Sequence, residues 1–204
     1  MRVALGLKAR IGRAILVAVG MKGTEFQFIE RAELKLLPDG AFAPYHAVEG
    51  LEPEDARKSL QSSIAAAHRL AGAAIRDAVE RITNAGHEVR ECAVLVGSGR
   101  PNWTTDEILG AHVRMHEAEG ELFRNVLVEG AAAIKLKVTT LPHKSPFDAA
   151  MTALGVTRTR LDALITALGK QAAPPWGQHQ KEAAAAAIVA LGGPHHAREK
   201  RSKA

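Results

Sequence analysis

The sequence holds a single cysteine, Cys92, in 204 residues, so no internal disulfide can form and a reducing compartment, the cytoplasm, is expected. No run of about 18 uninterrupted apolar residues exists, and even Ala183–Leu191 is roughly half of what a bilayer demands, so no spanning helix is expected. The start, Met1-Arg2-Val3-Ala4-Leu5-Gly6-Leu7-Lys8, interrupts its apolar run too early for a signal peptide. No repeat recurs at a fixed period, which argues against a solenoid or propeller. A large charge excess is also missing: 27 Lys and Arg against 22 Asp and Glu leave +5. Part of that excess sits in His195-His196-Ala197-Arg198-Glu199-Lys200-Arg201-Ser202-Lys203. A short basic tail raises the isoelectric point without making a binding face.

What is present is ordinary globular composition, 47% hydrophobic and 24% charged, enough to bury a full core in one domain over 1–192, followed by a basic tail over 193–204 expected to be disordered. Val3–Leu7 and Ala14–Val19 read as a strand pair around the basic turn Lys8-Ala9-Arg10-Ile11-Gly12-Arg13. Phe26, Phe28, Ala32, Leu34 and Leu36 alternate with polar neighbours, predicting a third strand with one buried face, interrupted at Glu30. Leu60, Ile64, Ala67, Ala71, Ala74 or Ile75, Ala78 and Ile82 repeat at helical spacing, and Asn84-Ala85-Gly86 stops that helix.

Cys92–Val96 is apolar on both faces, as a central strand covered on each side would be. Thr104 and Glu107 have capping-box spacing and open a second long helix carrying Ile108, Ala111, Met115, Ala118, Leu122 and Val126. Ile134–Thr140 alternates as a fifth strand, its lysines suiting a sheet edge. Helical patterns at 147–154, 157–169 and 178–191 complete an α/β domain with a mixed sheet.

Three strands joined by tight turns, then two strand-plus-crossover units and a final helix, resemble the ribonuclease H-like superfamily, and within it the RuvC-type Holliday-junction resolvases. In that branch the last helix opens with Asp-x-x-Asp and small residues, where this chain has His179-Gln180-Lys181-Glu182 followed by Ala183–Ala187. The Gly110–Lys137 segment is similar to the resolvase helix after the fourth strand, rich in small residues and ending in Gly before an apolar strand. The resemblance implies a mixed five-stranded sheet with helices on both faces, a nucleic-acid partner, and a homodimer made by the long second helix. It also implies an Asp on the first strand which, with further carboxylates, holds paired metal ions. This sequence departs from that pattern: Leu5, Leu7 and Lys8 occupy the possible places on the first strand, and Val96, Gly97 and Ser98 stand where the fourth strand has Glu. The expectation is a domain with an incomplete two-metal centre and no cofactor, acting as a nucleic-acid-associated or interaction module. The alternative is an enzyme with a rebuilt site of His112, His116, Glu119, Glu182 and His179 and one divalent metal.

Two further constellations have chemistry. His112, His116 and Glu119 fall at i, i+4 and i+7, one helix face, a spacing that could hold a transition metal but reads first as a polar stripe on a half-buried helix. Val113 follows the first His where the metalloprotease motif requires Glu. Around Gly120 the same helix gathers His116, Glu117, Glu119, Glu121 and Arg124, more polarity than a crossover helix requires. Gly97-Ser98-Gly99-Arg100 leaves a buried strand toward a helix start, a setting for an anion or for a plain tight turn. Lys8, Arg10, Ser98, Arg100 and Lys181 make up a candidate phosphate-contacting patch, against the alternative of a solvated basic turn. Trp176, after Pro174-Pro175, reads as a residue packing a loop onto the domain.

Overall fold

The structure, a computed structural model, describes residues 1–41, 43–99 and 102–192. The tail over 193–204 and Arg100 lie outside the described residues. Strands β1 (Arg2–Arg10), β2 (Arg13–Lys22) and β3 (Glu25–Lys35) form an antiparallel meander. Helix α1 (Pro53–Asn84) then leads to β4 (Glu88–Val96), which lies parallel to β1. Helices α2 (Thr105–Leu109) and α3 (His112–Ala133) lead to β5 (Lys137–Pro142), parallel to β4. Helices α4 (Pro146–Leu154), α5 (Arg158–Gln171) and α6 (Gln178–Leu191) finish the chain. The sheet order is β3-β2-β1-β4-β5, the α/β mixed five-stranded arrangement expected, with β3 and β5 at opposite edges.

Helices cover both faces. One core joins Leu5, Leu7, Leu16, Cys92 and Val94 to α1 and α3; the other joins Val17, Val19, Ala93 and Leu95 to α4, α5 and α6. Two-sided burial is why β4 carries no polar alternation over Cys92–Leu95, whose side chains are at most 1% exposed.

The third strand departs from its expected single buried face. Val19 pairs with Phe28 and Ala18 with Glu30, so Ile29 is an extra residue in the ladder. One inserted residue inverts side-chain parity. Phe26 and Phe28 therefore face the α5 and α6 layer, whereas Ala32 and Leu34 face α1. Glu30, turned to the α1 side by the bulge, pairs with Arg81 at 2.6 Å. The second long helix is in fact two. A capping box at Thr104 and Glu107 starts α2, as expected, but Gly110 ends it and extended Ala111 (φ −151°) restarts the chain as α3. His112 is thus the first residue of α3. The fifth strand also starts later than its alternation suggests, because Lys135 turns the chain at φ +64°.

Gly6 sets the packing that positions the strand ends. A Cβ there would lie 1.8 Å from the Ala183 carbonyl oxygen, so only glycine lets α6 approach β1 this closely. The run Ala183–Ala187 on the facing helix, buried throughout, has the same effect from the other side. Trp176 packs the loop before α6 onto the domain, its ring edge-on to Phe28 with centroids 6.0 Å apart.

Candidate functional site

Strands β1, β4 and β5 run parallel, so Lys8, Ser98 and His143 emerge at the same end of the strands. Lys8 belongs to β1 and not to the basic turn expected from the sequence: the turn is Ile11-Gly12, and Lys8 pairs with Ile15 on one side and Leu95 on the other. Its side chain turns to the α6 face. There its Nζ donates to Glu182 Oε2, with the two side chains 16% and 13% exposed. The other carboxylate oxygen, Oε1, accepts from Gln178 Nε2 at 2.9 Å.

His179, one turn before, sits among cations. Its pKa is held below the usual imidazole value, first by burial and then by the charges of Arg10 and Lys8, while Glu182 opposes the shift. The neutral ring is therefore the favoured form. Arg10 is exposed at the end of β1, and Lys181 is half-buried in the first turn of α6. Of the expected phosphate-contacting set, Lys8 and Arg10 are near enough to His179 to act on its charge, and Lys181 lies in the first turn of α6. Ser98 is exposed beyond β4 at the same end of the strands, and Arg100 is not among the described residues.

On the other face, Gly97, Ser98 and Gly99 line a groove of about 380 Å³ together with α3 residues His116, Glu117, Gly120, Glu121 and Arg124 and with His143 and Lys144 after β5. Arg124 lies over the end of β4. A Cβ at Gly97 would stand 2.9 Å from Arg124 Nη1, and the same nitrogen is 3.7 Å from Glu121 Oε2. His143 is fixed by Val96, whose carbonyl accepts from its backbone N–H at 2.8 Å and lies 3.1 Å from its Nδ1.

Glu119, Glu182 and His179 do not form one centre. Glu119 belongs to α3, on the face of the sheet opposite Glu182 and His179, and is wholly buried. Its Oε1 accepts from the backbone N–H groups of Tyr45 and His46 at 3.2 and 3.3 Å, and lies 2.8 Å from His46 Nδ1. Nor does Glu119 join His112 and His116 as an equal partner. The group whose nitrogens converge is His46, His112 and His116, within 4.8 Å of one another. His46 lies in a 3-10 turn (His46–Val48) before α1 and was not singled out from sequence. No periodicity marks it, and its neighbours Pro44 and Tyr45 read as loop.

A pair of divalent cations does not fit the strand-end residues. Two such ions require several carboxylates to offset their charge. Here a lysine ammonium extends from β1, Glu182 has both oxygens engaged, and a guanidinium covers the end of β4.

No known family model and no curated protein sequence matches the chain. Solved structures do. The chain is similar to RuvC of Thermus thermophilus, with 14% identity over 98% of this chain and 96% of that one and a TM-score of 0.50. It is likewise similar to T. thermophilus RuvC in complex with a Holliday junction substrate, with 13% identity over 97% and 96% and a TM-score of 0.54. The chain has the RuvC-like ribonuclease H fold. Among the described residues, no helix is long and apolar enough to cross a membrane.

Proposed function

We propose that this RuvC-fold chain is a nucleic-acid-associated module that contacts a phosphate backbone at the β1–α6 end and does not cut it. The observation that carries the reading is the Lys8–Glu182 pair. An internal ammonium neutralises the carboxylate that a metal ion would otherwise share, so the electrostatics at this end favour an anion over Mg²⁺. Arg10 adds positive charge near the same His179 that the pair flanks, and Lys181 adds another cation in the first turn of α6. The similarity to a RuvC described in complex with a Holliday junction substrate supports nucleic acid as the class of partner. His179, held neutral, is available to accept or donate one hydrogen bond without adding charge. A homodimer belongs to the same proposal, and its readout is a solution mass twice the 21.7 kDa of the chain.

The test is binding to unrelated duplexes and four-way junctions over a range of salt. Arg10→Ala with Lys181→Ala is expected to weaken every sequence alike and to flatten the log–log salt dependence by about 2, near 0.9 per lost phosphate contact. The measurement is repeated with Lys200, Arg201 and Lys203 changed to Ala, because those residues can bind DNA non-specifically by themselves. Affinity abolished by the tail substitutions and indifferent to Arg10 and Lys181 would overturn the reading.

A further inference from the structure

We infer that His46, His112 and His116 form a binding site for one Zn²⁺-class ion, with Glu119 as the outer carboxylate that orients His46. The inference stands apart from the nucleic-acid reading, since these residues are on the α1–α3 face of the sheet and Lys8 and Glu182 are on the other. Three imidazoles from two separate elements converge. Their ring centroids are 4.8 Å apart for His46–His112, 4.5 Å for His46–His116 and 4.6 Å for His112–His116. The Nε2 atoms of His112 and His116 face each other at 3.1 Å. Zinc–nitrogen bonds of about 2.0–2.1 Å at the tetrahedral angle place two ligand nitrogens about 3.3 Å apart, so this pair is already at ligand spacing.

Glu119 supplies the second independent observation. Its oxygen, 2.8 Å from His46 Nδ1, accepts the hydrogen bond of the Nδ1–H tautomer, which puts the ring's lone pair on Nε2. A carboxylate behind a ligating histidine fixes the tautomer and raises its basicity. The burial of Glu119 also calls for such a partner. The carboxylate is 0% exposed, and its second oxygen, Oε2, is buried with no hydrogen-bond partner among the described residues. A carboxylate out of water is costly unless opposite charge is near. An ion held on the far side of His46 brings two positive charges to it through one ring. Imidazole donors favour Zn²⁺ and its first-row neighbours and discriminate against Mg²⁺, which prefers oxygen. Three protein ligands leave a fourth position for water or an anion.

The experiment is metal content and calorimetric titration of the full chain with Zn²⁺, with excess Mg²⁺ as competitor. One ion per chain, not displaced by Mg²⁺, is expected, together with a rise in Tm on adding Zn²⁺. His112→Ala with His116→Ala, both at exposed positions and therefore compatible with folding, is expected to abolish stoichiometric binding and the Tm response. Glu119→Gln is expected to weaken affinity about 10–100-fold while leaving the three ligands in place. Should Glu119→Gln fail to fold, the double histidine variant decides alone, with its circular dichroism as the control. Absence of stoichiometric Zn²⁺ binding overturns the proposal. So does binding that survives in the double variant or that vanishes only with His195→Ala and His196→Ala.

Discussion

Replacing Lys8 and Glu182 singly and together isolates the contact on which the functional reading depends. Exposed ion pairs contribute about 0–1 kcal/mol, whereas removing one partner of a buried pair costs about 3–5 kcal/mol because the other charge is stranded. With side chains 16% and 13% exposed, this pair lies nearer the second case. Lys8→Met leaves the Glu182 carboxylate facing the end of β1 with Gln178 as its remaining donor among the described residues, and Glu182→Gln leaves the ammonium beside His179 and Arg10. Each single change is expected to cost about 2–3 kcal/mol, a discount from the buried limit for partial solvent access. For a domain of this size that corresponds to a fall in Tm of about 4–12 °C. The double variant Lys8→Met with Glu182→Gln removes both charges and is expected to cost less than the sum of the singles by about 1.5 kcal/mol or more. Urea denaturation of the four proteins at pH 7 completes the cycle. Additivity within about 0.5 kcal/mol would refute the pair as a coupled contact.

Three other outcomes follow from the same geometry. Gly6→Ala, whose methyl would stand 1.8 Å from the Ala183 carbonyl oxygen, is expected to destabilise by about 3 kcal/mol or more in denaturant unfolding; a loss under about 0.5 kcal/mol would mean that α6 does not rest on β1. Burial pushes the Cys92 thiol up to about 12, so labelling by a thiol reagent at pH 8 is expected to proceed at the rate of global unfolding, and fast labelling of the native protein would contradict a central β4. Because the folded-state pKa of His179 is depressed, the unfolded chain takes up the proton first, and stability is lost as pH falls below the ordinary imidazole value near 6.5. His179→Gln is expected to flatten that part of the stability–pH curve, and an unchanged slope would show that another group carries it.

The fold was largely legible because its strongest signals are local. Two-sided apolarity over Cys92–Val96, helical spacing from Leu60 to Ile82 and the capping box at Thr104 each depend on near neighbours in sequence, and the structure has all three where expected. What the sequence concealed arises from distant pairings. The bulge at Ile29 is invisible in a pattern where Phe26, Phe28, Ala32 and Leu34 all fall on even positions, although Glu30 interrupting that series was its trace. Lys8 reads as a solvated turn cation until Glu182, 174 residues away, is brought against it. Glu119 reads as the third member of a helix face with His112 and His116, yet its carboxylate is buried under Tyr45 and His46, 73 residues or more earlier. No spacing rule reaches across such separations, so His46 could be found only once the loop before α1 had a place in space.

The most direct test of the central claim is incubation of the purified chain with a labelled four-way junction and Mn²⁺ or Mg²⁺, followed in one reaction by a native gel and a denaturing gel. The account predicts a retarded complex on the native gel and uncut strands on the denaturing gel, since the β1 end offers Lys8 where paired metal ions require a carboxylate. Metal-dependent cleavage by the unmodified chain that disappears in Glu182→Gln would contradict it.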